Sequence, residues 1–307
     1  MRKRLTAALF SLGFMGSALA ASDAIDIPFT RFTLANGLTA IVHEDHKAPV
    51  VAVSIWYHVG SADEPTGKTG FAHLFEHLMF SGSEHHKGTF MEPFEQVGAT
   101  DLNGTTWFDR TNYFATVPTT ALDLALWMES DRMGHLLGAI GQHELDTQRG
   151  VVQNEKREGE NQPYGRVDEN ILANAFPTNH PYRHDTIGSM ADLDAASLAD
   201  VKQWFHDYYG AANTTIVLAG DITPAAAREK LEKYFGDIAA GPPVPRQQAW
   251  VAQRDTSTRG EQKDHVAQTR IIRECNVAQL GHADEPLLEL AADALGGGKT
   301  SRLYQRL

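Results

Sequence analysis

Alternating apolar and polar residues predict several strands along the chain. A hairpin is predicted over residues 29–43, because two alternating segments flank the turn signal Ala35-Asn36-Gly37. Between residues 100 and 118 the pattern predicts a second pair of strands, with Asn103-Gly104 at or near their turn. Three segments richer in apolar and β-branched residues predict further strands: residues 50–59, 213–219 and 266–272.

Apolar residues spaced three and four apart predict helices between these strands. The helix that begins at Phe71 is expected to end at Gly82, and Thr223 followed by Pro224 marks the start of a later helix. The predicted helices cover residues 71–80, 90–97, 119–137, 145–158, 170–176, 197–209, 224–236 and 285–295.

A proline-rich segment divides the chain into two unequal parts. Gly241-Pro242-Pro243-Val244-Pro245 predicts a semi-rigid linker, which we place at residues 238–248. We expect a first domain over residues 21–237 and the start of a second domain over residues 249–307. The helical pattern continues to Leu307 without a cap or breaker, so we expect this second domain to be truncated.

The first 20 residues have the pattern of a secretory signal. A basic start at Arg2-Lys3-Arg4 precedes an apolar stretch from Leu5 to Gly16 and the small-residue cleavage site Ala18-Leu19-Ala20. The apolar stretch is too short to span a membrane, and no later stretch is apolar enough to do so. We therefore expect an exported, periplasmic protein with no membrane span after cleavage.

Charge and cysteine content exclude several classes of function. The formal charge is −12 for the full chain and −15 without the three cations of the signal, which argues against nucleic acid and anionic membranes as partners. Cys275 is the only cysteine, so no intrachain disulfide can form, and its strand-like surroundings argue against a catalytic thiol. The glycine-rich residues 296–300 lack the glycine that a phosphate-binding loop needs where Asp293 stands.

The segment from Phe71 to Phe80 carries the clearest chemical signal. Read as a helix, it separates into an apolar face and a polar face on which His73, Glu76 and His77 gather within an arc of about 100°. Two imidazoles one turn apart suit a Zn²⁺ ion, and the neighbouring carboxylate can take a proton from water on the metal. The order H-x-x-E-H is that of the inverzincin signature.

A merely solvated polar face is the alternative, but the clean division of the two faces favours a metal site. His85 and His86 are adjacent on a predicted loop beside Lys87, so we predict a solvated loop there rather than a second metal site. A catalytic zinc takes three protein ligands, and spacing alone cannot choose the third. The open candidates are Asp63, Asp101, Asp109, Glu144, Glu155 and Glu158.

The chain resembles peptidase family M16, which includes pitrilysin, insulinase and the mitochondrial processing peptidase, over essentially the whole length that follows the signal. In this family the third zinc ligand is a glutamate on a later helix, and Glu155 stands at the matching position, 78 residues after His77. The resemblance therefore implies Zn²⁺ bound by His73, His77 and Glu155, with Glu76 as general base. The motifs that carry it are residues 34–38, 70–82, 98–103, 109–113, 149–157 and 296–303.

The resemblance implies further features of the site. Many relatives carry a glutamate seven residues before the ligand, where this chain has Gln148, whose amide can still hydrogen-bond to the ligands. The strand near Asn103 is expected to line the cleft and to pair with an extended peptide substrate, and an ordinary turn residue is the alternative for Asn103. A second, related half or subunit would close the chamber over the peptide.

The resemblance and the order of elements predict an α+β fold of repeated domains, each a mainly antiparallel sheet covered by helices on one face. The predicted function is that of a zinc-dependent endopeptidase acting on peptides or small unfolded proteins. One alternative is a catalytically silent partner or scaffold subunit, although such relatives usually lose motif residues that are all present here. Another is a zinc hydrolase acting on something other than a peptide.

Overall fold

The computed structural model describes residues 26–245 and 251–307. The predicted signal, residues 1–20, lies outside the described residues, as does residue 249, where the second domain was expected to begin. Within the described ranges no helix is both long enough and apolar enough to cross a membrane.

A six-stranded sheet organises residues 30–220. The strands are β1 (Thr30–Thr33), β2 (Thr39–Glu44), β3 (Val50–Tyr57), β4 (Thr100–Thr106), β5 (Thr111–Pro118) and β6 (Thr214–Gly220). Their order in the sheet is β1-β2-β6-β3-β5-β4, and every neighbouring pair is antiparallel except the parallel pair of β2 and β6. The last strand in sequence therefore lies in the middle of the sheet.

Over the described residues, helices lie between these strands in the sequence and after the last of them. The predicted α+β class is confirmed. The helices are α1 (Phe71–Leu78), α2 (Met91–Gln96), α3 (Leu122–His135), α4 (Gln142–Asn161), α5 (Val167–Ala175), α6 (Met190–Ala195), α7 (Leu198–Tyr208), α8 (Pro224–Phe235) and α9 (Glu285–Gly296).

One face of the sheet forms the main core. Along β3 the side chains of Val51, Val53, Ile55 and Tyr57 are buried, whereas the residues between them are partly exposed. Such a period of two places apolar residues on a single face of the sheet. Helix α3 packs against β3 and β5, and α8 packs against β2, so helices cover the buried face.

The predicted turn at Asn103-Gly104 is wrong. Both residues lie within β4, and the chain reverses at residues 107–110, where the Trp107 N–H donates to the Arg110 carbonyl at 2.8 Å. Close packing explains the glycine at position 104, because a Cβ atom there would lie 3.0 Å from the rings of Phe80 and Tyr113. A glycine needed for close approach has the same sequence signature as a turn glycine.

Three other predictions need correction. Residues 266–272 form no strand, since within the described ranges no neighbouring strand offers them the hydrogen-bond partners that a strand requires. Helix α4 extends beyond both predicted ends. Helix α6 was not predicted; its N-terminus is capped by Ser189, whose hydroxyl accepts the Asp192 N–H at 3.1 Å. The histidine helix ends at Leu78, and tight turns continue the chain to Gly82, which has φ +104°.

Candidate metal centre

A buried carboxylate fixes the start of the helix that carries the two histidines. The α1 N-terminus follows Gly70, which has φ +87°. Glu64, whose side chain is fully buried, accepts the Gly70 N–H at 3.0 Å and the Ala72 N–H at 2.7 Å. These bonds satisfy backbone groups that a helix start leaves without partners. Burial raises the pKa of Glu64 well above its usual value, against the effect of the two backbone hydrogen bonds.

The apolar face of α1 packs against α7 and against Tyr209, the residue that follows α7. The rings of Phe71 and Trp204 lie 5.4 Å apart, and those of Phe75 and Tyr209 lie 4.4 Å apart. Leu74 and the other apolar residues of this face are fully or almost fully buried. The amphipathic pattern therefore leaves the polar face of α1 directed away from this core.

The structure brings His73, His77 and Glu155 together. The two Nε2 atoms are 3.3 Å apart, and Glu155 Oε2 lies 3.7 Å from His73 Nε2 and 3.5 Å from His77 Nε2. A tetrahedral ion with bonds of about 2.0–2.1 Å has ligands separated by about 3.3–3.4 Å. The three donor atoms thus fit one zinc ion in both chemistry and spacing.

Burial favours the neutral, metal-binding form of both imidazoles. Burial, with a smaller contribution from the nearby His77, lowers the pKa of His73 to about 4. Burial also lowers the pKa of His77, and the Glu155 carboxylate and a hydrogen bond with Gln148 oppose this shift. Among the described residues, His73 Nδ1 is buried without a hydrogen-bond partner. Two neutral imidazoles facing one carboxylate form a suitable donor set for a divalent cation.

Helix α4 contributes the third donor to the cluster. It packs against α1 and carries both Gln148 and Glu155, which lie two turns apart on the same side. The Gln148 amide also donates to Ser81 Oγ at 3.5 Å. This residue therefore contacts both His77 and the turn that follows α1.

Glu76 lies on the same helix and is 8% exposed. Its Oε2 accepts a hydrogen bond from Thr106 Oγ1 at 2.5 Å. Burial raises the pKa of Glu76, and the Glu155 charge adds to this, whereas Thr106 and Arg110 act in the opposite direction. A carboxylate with a raised pKa is better matched to accepting a proton near neutral pH.

Sequence reasoning assigned no role to Thr106 or Arg110. Thr106 had only its place in a polar, alternating pair of strands, and Arg110 lies in the motif of residues 109–113 that supports the family resemblance. Arg110 Nη1 donates to the Thr105 carbonyl at 3.0 Å and to Asn112 Oδ1 at 2.8 Å, and its guanidinium lies 5.4 Å from the centre of the Trp56 ring. This network links the ends of β4 and β5 beside Glu76.

Asn103 lies on β4, the edge strand of the sheet, and is exposed. Its Oδ1 accepts the Gly104 N–H at 2.9 Å. Three of the other candidate third ligands are engaged elsewhere: Asp63 with the Gly60 N–H, Asp109 with the Tyr182 hydroxyl and Glu144 with the Gly141 N–H.

Two models of one peptidase family match consecutive parts of the chain. The model described as insulinase (peptidase family M16) matches residues 39–187, and the model described as peptidase M16 inactive domain matches residues 195–307. Their junction falls before β6, which belongs to the same sheet as the strands matched by the first model.

Similar curated proteins are named zinc proteases or processing peptidases. The chain is 30% identical over 282 residues to the zinc protease PqqE of Helicobacter pylori, covering 90% of this chain and 62% of that protein. It is 26% identical to the uncharacterized zinc protease YmxG of Bacillus subtilis, with 90% and 66% covered. It is 27% identical to the mitochondrial-processing peptidase subunit beta of Blastocladiella emersonii, with 71% and 46% covered. The chain therefore spans less than two thirds of the length of these relatives.

Solved structures share the fold. A protease from Helicobacter pylori superposes with a TM-score of 0.75 at 26% identity, covering 91% of this chain and 68% of that chain. The periplasmic protease PqqL from Escherichia coli gives a TM-score of 0.67 at 24% identity, covering 75% of this chain and 26% of that chain. The second likeness concerns the fold alone.

Proposed function

Because this chain belongs to peptidase family M16, we propose that it is a zinc-dependent endopeptidase that hydrolyses peptides or small unfolded proteins. The observation that carries the proposal is the triangle of His73 Nε2, His77 Nε2 and Glu155 Oε2, with edges of 3.3, 3.5 and 3.7 Å. A triangle of this size suits three ligands of one tetrahedral ion. The names of the relatives support the same reaction class.

Glu76 is the proposed general base. A bound zinc ion would polarise the scissile carbonyl and lower the pKa of a water molecule. Glu76 would take a proton from that water and pass it to the leaving amine. The hydrogen bond from Thr106 supports this role, because it holds the carboxylate in one orientation while burial raises its pKa.

The proposed substrate is an extended peptide lying along β4. This strand is at the edge of the sheet, so its outer backbone groups can pair with an added strand. Asn103 is exposed on β4, and we assign it to contact with the substrate. A second M16-like half or subunit would cover the peptide, and the sequence pattern of residues 1–20 supports export to the periplasm.

A catalytically silent partner subunit is the second candidate. The match of residues 195–307 to a model described as an inactive domain favours it. The presence of His73, Glu76, His77 and Glu155 together favours the enzyme. The two candidates differ in whether the metal-loaded protein hydrolyses peptides.

The proposal is tested by measuring zinc content and peptide cleavage on the same samples. We expect about one zinc ion lost per chain in Glu155→Gln, and normal zinc content without cleavage in Glu76→Gln. Glu158→Gln is the matched control, because it makes the same chemical change one turn along α4 at an exposed position. It should keep both zinc and cleavage.

Cleavage is assayed with a library of quenched fluorescent peptides. If Glu76→Gln cleaved peptides as fast as the wild type, Glu76 could not be the general base. If the wild type binds zinc but cleaves no peptide, even when a second M16-like half or subunit is added, the silent subunit would be favoured.

A further inference from the structure

A second cluster of metal-binding side chains lies outside the triangle described above. His85 is on the loop that follows α1, whereas Asp131 and His135 stand one turn apart on α3. One donor atom from each lies within 4.8 Å of the other two. We propose that His85, Asp131 and His135 bind a second divalent cation of the zinc class. This inference does not rest on the proposed peptidase function.

The two imidazoles are arranged like those of the first cluster. The rings of His85 and His135 have their centres 4.8 Å apart with an angle of 78° between their planes. The corresponding values for His73 and His77 are 4.7 Å and 88°. A pair of edge-to-face imidazoles at this separation can direct one nitrogen each to a shared ion.

Carboxylates complete the donor set. Asp131 Oδ1 lies 2.6 Å from His85 Nδ1, and Glu84 Oε2 lies 3.5 Å from His135 Nδ1. With Glu84 included, two nitrogens and two oxygens are available, and these are ligand types that zinc accepts. We assign Glu84 as the fourth ligand or as the residue that hydrogen-bonds to a water in that position.

Asp131 is the fixed member of the cluster. Its side chain is 4% exposed, and its Oδ2 accepts hydrogen bonds from Ser83 Oγ and from the His85 N–H, the latter at 3.3 Å. The side chains of His85 and His135 are 54% and 49% exposed, so they can rotate towards an ion held by the buried carboxylate. Binding would replace the hydrogen bond between His85 Nδ1 and Asp131 Oδ1, now 2.6 Å long, by two bonds to the ion, and the rotation of His85 allows the two atoms to separate to about 3.3 Å.

Sequence reasoning predicted a solvated loop at His85 and His86. The exposure agrees with that prediction, but the loop also contacts α3, which no local pattern reveals. A metal ion here would join the residues that follow α1 to α3. Because an ion that binds only the folded state raises stability, zinc should raise the melting temperature through this site.

The test counts zinc ions per chain after equilibration with buffered free zinc. We expect about two ions in the wild type, one in His85→Asn/His135→Asn, one in Glu155→Gln and none when all three changes are combined. His86→Asn is the matched control, because His86 is the adjacent histidine and its ring hydrogen-bonds to the Thr89 carbonyl at 3.3 Å rather than to a member of the cluster. It should retain both ions. Circular dichroism verifies that each variant is folded.

The outcomes separate this inference from the proposed function. An unchanged zinc count in His85→Asn/His135→Asn, with loss in Glu155→Gln, overturns the second site and leaves the first intact. Loss in His85→Asn/His135→Asn, with no loss in Glu155→Gln, supports the second site and overturns the proposed zinc triangle. A melting temperature of Glu155→Gln that rises with zinc, but not in the combined variant, provides independent support.

Discussion

At the scale of single residues, Thr106 connects the sheet to the proposed base. Its hydroxyl donates to Glu76 Oε2 at 2.5 Å, which lowers the pKa of Glu76 against the larger effect of burial. We expect Thr106→Val to raise this pKa, so the acidic limb of the kcat/KM profile moves to higher pH. Without this hydrogen bond the carboxylate is no longer held in one orientation, so kcat/KM near neutral pH should also fall, by about tenfold.

The matched variant for this prediction is Thr106→Ser, which keeps the hydroxyl. It should restore both the position of the acidic limb and most of kcat/KM, while zinc content is the same in all three proteins. If Thr106→Val had the wild-type pH profile, Thr106 would be a structural residue without influence on the base.

His73 makes the metal-free protein sensitive to acid. Burial lowers the pKa of His73 to about 4, whereas an unfolded chain has a histidine pKa of about 6.5. Between these values the unfolded state binds more protons, so the free energy of unfolding decreases as pH falls. Between pH 7 and pH 5 this residue should account for a loss of about 2 kcal/mol.

The measurement is urea unfolding in the presence of a chelator at both pH values. His73→Asn removes the titrating group, so its stability should depend less on pH than that of the wild type. The same loss of stability in both proteins would show that His73 binds protons equally well in the folded and unfolded states.

At the scale of elements, the position of α1 depends on Glu64. Replacing this residue with alanine leaves the N–H groups of Gly70 and Ala72 without their buried acceptor. Since an unpaired buried donor costs about 1–3 kcal/mol, we expect Glu64→Ala to lower the free energy of unfolding by at least about 2 kcal/mol. Zinc affinity should fall as well, because α1 carries two of the proposed ligands.

Glu144→Ala provides the comparison. Glu144 accepts the Gly141 N–H at 2.9 Å at the start of α4, where water can replace it because the position is partly exposed. The loss should be about 0.5–1 kcal/mol. Equal losses in the two variants, measured by denaturant unfolding, would contradict a special role for Glu64.

Sequence patterns predicted the elements that are specified by their own composition or spacing. The β-branched, apolar composition of residues 50–59 was sufficient for β3, and helical spacing was sufficient to bring His73 and His77 to one face of α1. Glu155 lies on α4, so no periodicity relates it to α1, and only the family resemblance singled it out. Residues 266–272 show the opposite case, since a β-branched composition is not enough for a strand without a neighbour.

Tertiary contacts also determine details that local patterns cannot reveal. Gly104 has a turn signature but lies against the Phe80 and Tyr113 rings within β4. Thr106 became a candidate positioning residue only because β4 passes beside Glu76. Likewise, His85 reaches Asp131, 46 residues later in the sequence, through the packing of a loop against α3.

At the scale of the whole molecule, the sheet determines where the first folding unit ends. β6 pairs with β2 over residues 39–44 and with β3 over residues 51–57, so it connects the two sides of the sheet. Ile216 and Leu218 on this strand are fully buried. The first family match ends at residue 187, before β6, although the sheet is complete only when β6 is present.

We therefore expect a fragment of residues 21–187 to lack a cooperative fold. Without β6, the hairpin of β1 and β2 has no neighbour, and the core loses the fully buried side chains of Ile216, Leu218 and Phe235. The fragment also loses the buried side chains of Val201, Trp204, Tyr209 and Leu231. At about 1.5–3 kcal/mol for each buried apolar side chain, the combined loss is comparable to or larger than the roughly 5–15 kcal/mol by which a domain is stable.

A fragment of residues 21–245 retains β6 and α8 and should unfold cooperatively in urea. It should also bind zinc through His73, His77 and Glu155, because all three residues and the helices that hold them lie within it. Limited proteolysis and urea unfolding of the two fragments check both statements. Cooperative unfolding of the 21–187 fragment would mean that β2 and β3 do not need β6, and that the site can form on half of the sheet.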